Sequence, residues 1–327
     1  MKKTKIFLFI SFIVLTLIYS CSDNNSNPAS SNTTSYYTVQ QLFSETWTSS
    51  EMSSMAYDPA GGDLYYIKST NSGPNQVHRY NFSTGNNNTV YSYQSQWDYG
   101  MRILNGDLYI VRTYDKSILR LTGLPGDTLT KVNIYPDSVN GNSALTEIND
   151  ITMANNNIYF VCGNPLTSMQ NNGVQYLQGP AFTTVNQFIS PSTANWPDSS
   201  YGYIRSIISV GSGASTKFAI ATGPNGNIEL WDAAGNFIKA DSGYGEAYLQ
   251  KDSQNRIYAM TGFGNNTKLT RWSDSLSNKK EFTINFSQYN GGNGIRFILK
   301  ETGNDIDVVM TKYRGSNPVF YKTKIPR

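Results

Sequence analysis

Six ionisable residues stand where they could meet: Asp98, Arg102, Asp150, Arg205, Glu246 and Arg296. Gly100, Gly202 and Gly294 lie close before the three arginines. Arginine forks grip carboxylates and phosphates bidentately, so a convergence of these side chains makes a site for an anionic group. The same residue types also serve as paired charges between neighbouring parts of a fold, and that use of Arg carries the greater weight. Aromatic residues accompany them: Trp97, Tyr99, Trp196, Tyr201, Tyr203, Tyr244 and Tyr289. Flat rings beside polar groups suit a sugar or a protein partner, whereas rings packed between elements are core.

Other chemistry is poorly provided for. His78 is the single histidine of the 327-residue chain. It lies in the strand-like run Val77-His78-Arg79-Tyr80 and reads as structural. No G-x-S-x-G elbow, P-loop or H-E-x-x-H occurs. With one His and two Cys, a transition-metal site built on those ligands is excluded by count. An oxygen-liganded divalent ion such as Ca²⁺ is compatible with the sequence, although no motif requires a cofactor. A glycosidase needs two carboxylates facing a sugar, and Asp98, Glu147, Asp150 and Glu246 are candidates by position.

The first residues read as an export signal. Lys2, Lys3 and Lys5 form a positive region, and Ile6 to Ile18 is an apolar run broken only by Ser11 and Thr16. Such a run is short for a membrane span and suits a signal peptide. It ends at Ile18-Tyr19-Ser20-Cys21, which resembles the bacterial lipobox. The resemblance implies cleavage after residue 20 and lipidation of Cys21, with Tyr19 a departure from the usual pattern. Each buried acyl CH₂ contributes about 0.8 kcal/mol, so several chains on one cysteine anchor a protein firmly. Residues 21–35 are polar and read as a flexible tether spanning roughly 20 Å. Ser22 after the cysteine favours the outer membrane or cell surface, by analogy with enterobacterial sorting. Cys162, in Ile158-Tyr159-Phe160-Val161-Cys162, reads as a buried small hydrophobe.

The formal charge of +3 belongs to the leader. Without Lys2, Lys3 and Lys5, the 26 basic residues become 23 and equal the 23 acidic ones. No polybasic face for nucleic acid remains. Tyr, Thr, Ser, Asn and Gly are abundant, a composition of strands and turns.

The elements that must position these side chains repeat. A strand centred on Leu64 recurs at Leu108, Ile158, Phe218, Ile257 and Ile306, at spacings of 44, 50, 60, 39 and 49 residues. That is the range of a four-stranded propeller blade. A tight polar turn precedes each copy, such as Asn105-Gly106 or Asn155-Asn156, the strongest short hairpin signal. Alternating third strands follow, such as Ile118-Leu119-Arg120-Leu121 and Ile228-Glu229-Leu230-Trp231. Fourth strands such as Thr89 to Tyr93 close the unit. The sixth copy lacks a fourth strand, and Tyr36 to Phe43 is a strand-like segment without a repeat of its own. Pairing the two closes the ring and hides two sheet edges. The fold class is therefore all-β, a six-bladed β-propeller of four-stranded antiparallel blades over residues 36–327 closed by the N-terminal strand, with seven blades the alternative count. The third blade carries an insertion, Asn164 to Gln175.

This rhythm resembles the six-bladed propellers of the NHL-repeat, TolB-like and gluconolactonase-like kind. Leu230-Trp231-Asp232 is similar to the WD-repeat signature, but that family's Gly-His pairs are missing. The gluconolactonase-like resemblance implies a metal held in the central channel by Glu, Asn and Asp, where Glu51, Asn149, Asp150 and Glu246 occupy comparable places.

In such a blade the turns joining strands one to two and three to four share one face, and here they are short. The longer, aromatic-rich connections share the other face, where binding residues are expected. The expected ligand-binding residues at the channel mouth are Asp98, Arg102, Asp150, Arg205, Glu246 and Arg296. The expected aromatic surface is Trp97, Tyr99, Trp196, Tyr201 and Tyr244. The reading is a non-enzymatic binding or scaffold propeller for a protein or polysaccharide, carried on the envelope by its lipid. A metal-dependent hydrolase or lactonase is the second reading, and a structural part of an envelope assembly the third.

Overall fold

The computed structural model describes residues 36–45, 54–68, 74–94, 98–112, 117–135, 148–162, 173–190, 204–222, 226–244, 247–261, 265–289, 296–311 and 319–327, with every side chain among them except those of residues 98–99, 133–135 and 162. Cys21 and the expected leader and tether lie outside this set, as does the side chain of Cys162.

The chain opens with two short strands, β1 (Tyr36–Thr38) and β2 (Gln40–Ser44). Blade one follows as β3 (Met55–Asp58), β4 (Asp63–Lys68), β5 (Asn75–Asn81) and β6 (Asn87–Tyr93). Blade two is β7 (Asp98–Leu104), β8 (Asp107–Arg112), β9 (Ser117–Thr122) and β10 (Thr130–Tyr135). Blade three is β11 (Ile148–Ala154), β12 (Asn157–Cys162), β13 (Gly173–Leu177) and β14 (Val185–Ile189). Blade four is β15 (Ile204–Val210), β16 (Lys217–Thr222), β17 (Asn227–Asp232) and β18 (Phe237–Ser242). Blade five is β19 (Tyr248–Lys251), β20 (Ile257–Thr261), β21 (Asn266–Trp272) and β22 (Lys280–Asn285). Blade six holds β23 (Phe297–Thr302), β24 (Asp305–Thr311) and β25 (Val319–Pro326). The strands form six sheets, each built on consecutive antiparallel strands, with β1 and β2 added to the last two blades. Six blades, not seven, is the count.

The turns follow from local chemistry. Asn105 and Gly106 both take positive φ, 50° and 82°, and Asn155 and Asn156 take 48° and 62°. Two left-handed residues in a row make the hairpin turn whose twist matches that of the flanking strands, and Asn and Gly tolerate it best.

The ring closes as its ends require. β2 pairs antiparallel with β25, setting Gln41 opposite Tyr321 and Phe43 opposite Phe320. The structure adds a detail: the N-terminal segment is two strands, not one. β1 runs parallel to β22, with Tyr36 opposite Thr283, and becomes a fifth strand of blade five. Buried Val39 marks the crossing between the two sheets.

Alternation along each strand sends one set of side chains to each neighbouring blade. Tyr65 and Ile67 join the cluster shared by blades one and two, while Leu64 and Tyr66 join the one shared by blades six and one. Inter-blade packing of this kind is the core. At the closing seam Phe43 stacks on Phe320 at 4.3 Å and on Tyr80 at 4.2 Å. The Glu45 carboxylate accepts a hydrogen bond from the Tyr66 hydroxyl at 2.7 Å.

Candidate functional site

The innermost strands β3, β7, β11, β15, β19 and β23 surround the central channel. They belong to different sheets, so side chains rather than a backbone ladder stitch them together. The Asn149 amide donates to the Ile204 carbonyl at 2.8 Å, and the Gln250 amide donates to the Phe297 carbonyl at 2.9 Å. The Thr152 and Ser209 hydroxyls lie 3.1 Å apart. A register shift recurs at the entry to three of these strands, at Asp98/Gly100, Ile148/Asp150 and Ile204/Ser206. A bulge re-aims the side chain beside it, and here Asp150 and Ser206 are brought together in the channel.

Four blades meet there. Arg102 Nε donates to Asp150 Oδ1 at 3.0 Å, and its Nη2 to Oδ2 at 2.5 Å. Nη2 also reaches the Ser206 hydroxyl at 3.2 Å and the Leu249 carbonyl at 2.9 Å. Asp150 accepts two further bonds on Oδ2, from the Ser206 hydroxyl at 2.5 Å and the Ile207 amide at 3.1 Å. Its Oδ1 accepts from the Ile151 amide at 2.9 Å. The carboxylate is 1% exposed and the arginine 9%. Of the two uses open to these residues, Arg102 and Asp150 take the structural one, an ion pair between blades two and three. Gly100 makes room for this approach: a Cβ there would lie 2.9 Å from Val111 Cγ2 and 3.0 Å from the Asn149 carbonyl oxygen.

Arg296 behaves differently. It enters β23 from blade six and is 7% exposed. Its guanidinium lies over the Tyr248 ring, 3.4 Å from the centroid. Its Nε and Nη2 find no hydrogen-bond partner among the described residues. Burial pulls its pKa down; Tyr248 and Asp150 oppose that, and the charges of Arg102 and Arg205 add to it. Arg205 follows Ile204 in β15 and is half-buried. A small cavity of about 10 Å³ lies beside Arg296, bounded by Met55, Arg102, Asp150, Tyr248 and Gln250.

A larger cavity of about 530 Å³ lies where the innermost strands end. Its walls include Tyr57, Arg102, Thr152, Gln250, Lys251 and Ser253, with Met101, Ile208 and Ile298 between them. Partial desolvation by the walls of the well and the nearby Arg102 charge lower the pKa of Lys251, whose side chain stays exposed. Two acidic wall residues are already engaged: Asp252 binds Arg256, and Glu301 binds Ser253 and Arg327. This well is flanked by the short turns, the face opposite to the loop-rich one where the sequence places binding. Most loops of that other face lie outside the described residues.

The other expected residues divide accordingly. Asp98 and Tyr99 lie in β7, but nothing is described of their side chains. Glu246, Trp97, Trp196 and Tyr201 lie outside the described residues, as do Tyr203, Glu147 and Glu51. Tyr244 corrects one expectation. It is 6% exposed, packed edge-on against Trp272 at 5.0 Å, and donates its hydroxyl to Asp241 at 2.8 Å. It is core between blades four and five rather than aromatic surface. Tyr289 packs on Tyr321 at 4.8 Å and accepts from the Gln41 amide at 3.1 Å. His78, as expected, is structural: 8% exposed and stacked on Tyr66 at 5.2 Å. Ser206, Tyr248 and Gln250 were not singled out by the sequence, because an ordinary Ser, Tyr or Gln in a strand carries no signal without the ring geometry.

A divalent ion does not fit the described part of the channel. Asp150 is saturated by a guanidinium, a hydroxyl and two amides, and Arg102 and Arg296 both stand beside it. No group of three or more His, Cys, Asp or Glu forms a metal-sized cluster among the described residues.

No protein-family model matches the chain, and no curated protein matches it. Solved structures do. A gluconolactonase from Xanthomonas campestris is 12% identical with a TM-score of 0.57, over 87% of this chain and 89% of that one. A luciferin-regenerating enzyme is 10% identical with a TM-score of 0.54, over 87% of this chain and 94% of that one. At such identities the likeness is one of fold, and it agrees with the six-bladed ring.

Proposed function

We propose that the protein is a non-enzymatic binding propeller, exported and held at the cell envelope by a lipid on Cys21, whose partner is an extracellular polysaccharide or a protein. The observation that supports this reading is the closure of Asp150 by Arg102, Ser206 and the Ile207 amide. A carboxylate so engaged serves poorly as a metal ligand or general base, both of which need a lone pair to spare. A binding role needs neither. The well of about 530 Å³ is within the size range of small-ligand sites, with mixed apolar and polar walls.

The second reading is a metal-dependent lactonase or hydrolase. It draws on the gluconolactonase of similar fold and on Asn149, Glu51 and Glu246 as ligands. One experiment separates the two: metal analysis and lactone-hydrolysis assays on the purified protein, run beside a glycan array and a pull-down. The binding reading expects a retained glycan or protein and no metal-dependent turnover. Stoichiometric divalent metal with metal-dependent lactone hydrolysis overturns it. Labelling with a radioactive fatty acid, abolished in Cys21→Ala, tests the anchor.

A further inference from the structure

We propose that the well of about 530 Å³ on the short-turn face is a separate site for an aliphatic monocarboxylate, a medium-chain fatty acid, with its carboxylate on Lys251. This goes beyond the polysaccharide or protein partner proposed above and concerns the opposite face of the ring.

The surroundings of this well are described throughout. Its walls come from all six blades. The hairpins around it, at 59–62, 105–106, 155–156, 211–216, 252–256 and 303–304, all belong to the described residues. Glu51 and Glu246 precede β3 and β19, whereas the well lies where those strands end.

The charges of the well leave one cation over. Arg102 is paired with Asp150, Asp252 with Arg256, and Glu301 with Arg327. Lys251 lines the same space, its side chain is exposed, and its ammonium has no acceptor among the described residues. Desolvation and then the Arg102 charge lower its pKa, and a bound anion relieves both effects. A single spare positive charge suits a monoanion better than a phosphate monoester, which carries nearly two negative charges at pH 7.

The walls choose the body of the ligand. Ile103, Leu104, Ile208, Ile298 and Leu299 line the well with aliphatic carbon. Its neutral polar side chains are spent on the ring itself. Thr152 meets Ser209 at 3.1 Å, the Gln250 amide donates to the Phe297 carbonyl at 2.9 Å, and the Ser253 hydroxyl donates to Glu301 at 2.8 Å. A polyhydroxylated ring would find few free partners here, whereas an alkyl chain needs none. An apolar space of this volume with one placed charge is the common form of a small-ligand site.

The test is calorimetric titration of the full-length chain with butyrate, hexanoate, octanoate, 1-octanol and octyl phosphate, each below micelle formation. Octanoate is expected to bind one per chain, at least tenfold more tightly than octanol. Affinity is expected to rise by up to about fourfold per CH₂ added to the acid. Lys251→Gln is expected to weaken octanoate about tenfold and leave octanol unchanged, because it removes a charge-assisted hydrogen bond. Lys251→Arg is expected to keep octanoate binding. The exposure of Lys251 lets both variants fold, and a thermal melt checks that they do. No octanoate binding, no gain with chain length, octanol or octyl phosphate binding as tightly as octanoate, or unchanged octanoate binding in Lys251→Gln each overturns the site. None of these results touches the glycan array and pull-down that test the polysaccharide or protein partner, so the two readings fail separately.

Discussion

Removing the Asp150 carboxylate tests the pairing at the centre of the ring. In Asp150→Ala, Arg102 loses both fork contacts, at 3.0 and 2.5 Å. The Ser206 hydroxyl and the Ile207 amide lose their acceptor in the same change. Breaking one side of a buried ion pair costs about 3–5 kcal/mol. For a chain of this length that is a fall in Tm of about 5–8 °C, using the unfolding entropy per residue typical of domains. Arg102→Met is expected to cost less, about 2–3 kcal/mol, because Asp150 keeps three donors while a buried cation left alone has little to turn to. The double variant Arg102→Met/Asp150→Ala removes both charges and is expected to cost less than Asp150→Ala alone, by about 1–2 kcal/mol. Urea denaturation of the four proteins at one pH gives the cycle directly, with the coupling energy as its readout. A cost for Asp150→Ala below about 1 kcal/mol, or strictly additive effects, refutes the claim that these residues act as a closed pair.

Glu229 is fully buried, and burial lifts its pKa to about 7, against the opposing pull of hydrogen bonds from Trp231 and Asn227. Its folded pKa exceeds its unfolded one, so its stabilising effect is complete below about pH 4.5 and is lost as pH rises towards 7, by about 3 kcal/mol in all. Glu229→Gln is expected to flatten that loss in urea titrations across pH 4.5–8; an unchanged slope counts against it. Phe43→Ala, which removes both stacking contacts at the closing seam, is expected to cost about 2–3 kcal/mol by thermal melting, while Gln41→Ala on the same strand stays within about 0.5 kcal/mol. Gly100→Ala, whose Cβ would press on Val111 and the Asn149 carbonyl, is expected to lower stability by about 1–3 kcal/mol; a neutral result means blades two and three are less closely set at that point.

The blade count was legible because each hairpin is written in local chemistry. Asn105-Gly106 needs no tertiary partner to declare a turn, and Ile118-Leu119-Arg120-Leu121 alternates as a strand should. The closing strand was legible too, since a sixth repeat short by one strand and an orphan segment near Phe43 complete each other. Its division at Val39 was not. β1 is only three residues long, and its partner β22 lies in a different blade with no sequence cue to a parallel pairing. At the channel the sequence located Arg102, Asp150 and Arg296 but not their division of labour. Arg102 and Asp150 are 48 residues apart, and only the curvature of the ring decides that one acid meets one base and leaves Arg296 against Tyr248. Tyr244 shows the converse: an aromatic next to Gly243 reads as a surface ring, yet Trp272 and Asp241 draw it inward.

The joint between the chain's ends sets a timetable. β2 shares a sheet with β25, and β1 shares one with β22. The earliest strands of the ring to be synthesised therefore wait for almost the last. Until blades five and six arrive, Tyr37 lacks Phe282 and Phe43 lacks Phe320, and the ring stays open like an unclasped bracelet. Once fastened, blade five cannot be pulled from blade six without first peeling away the segment that runs across both.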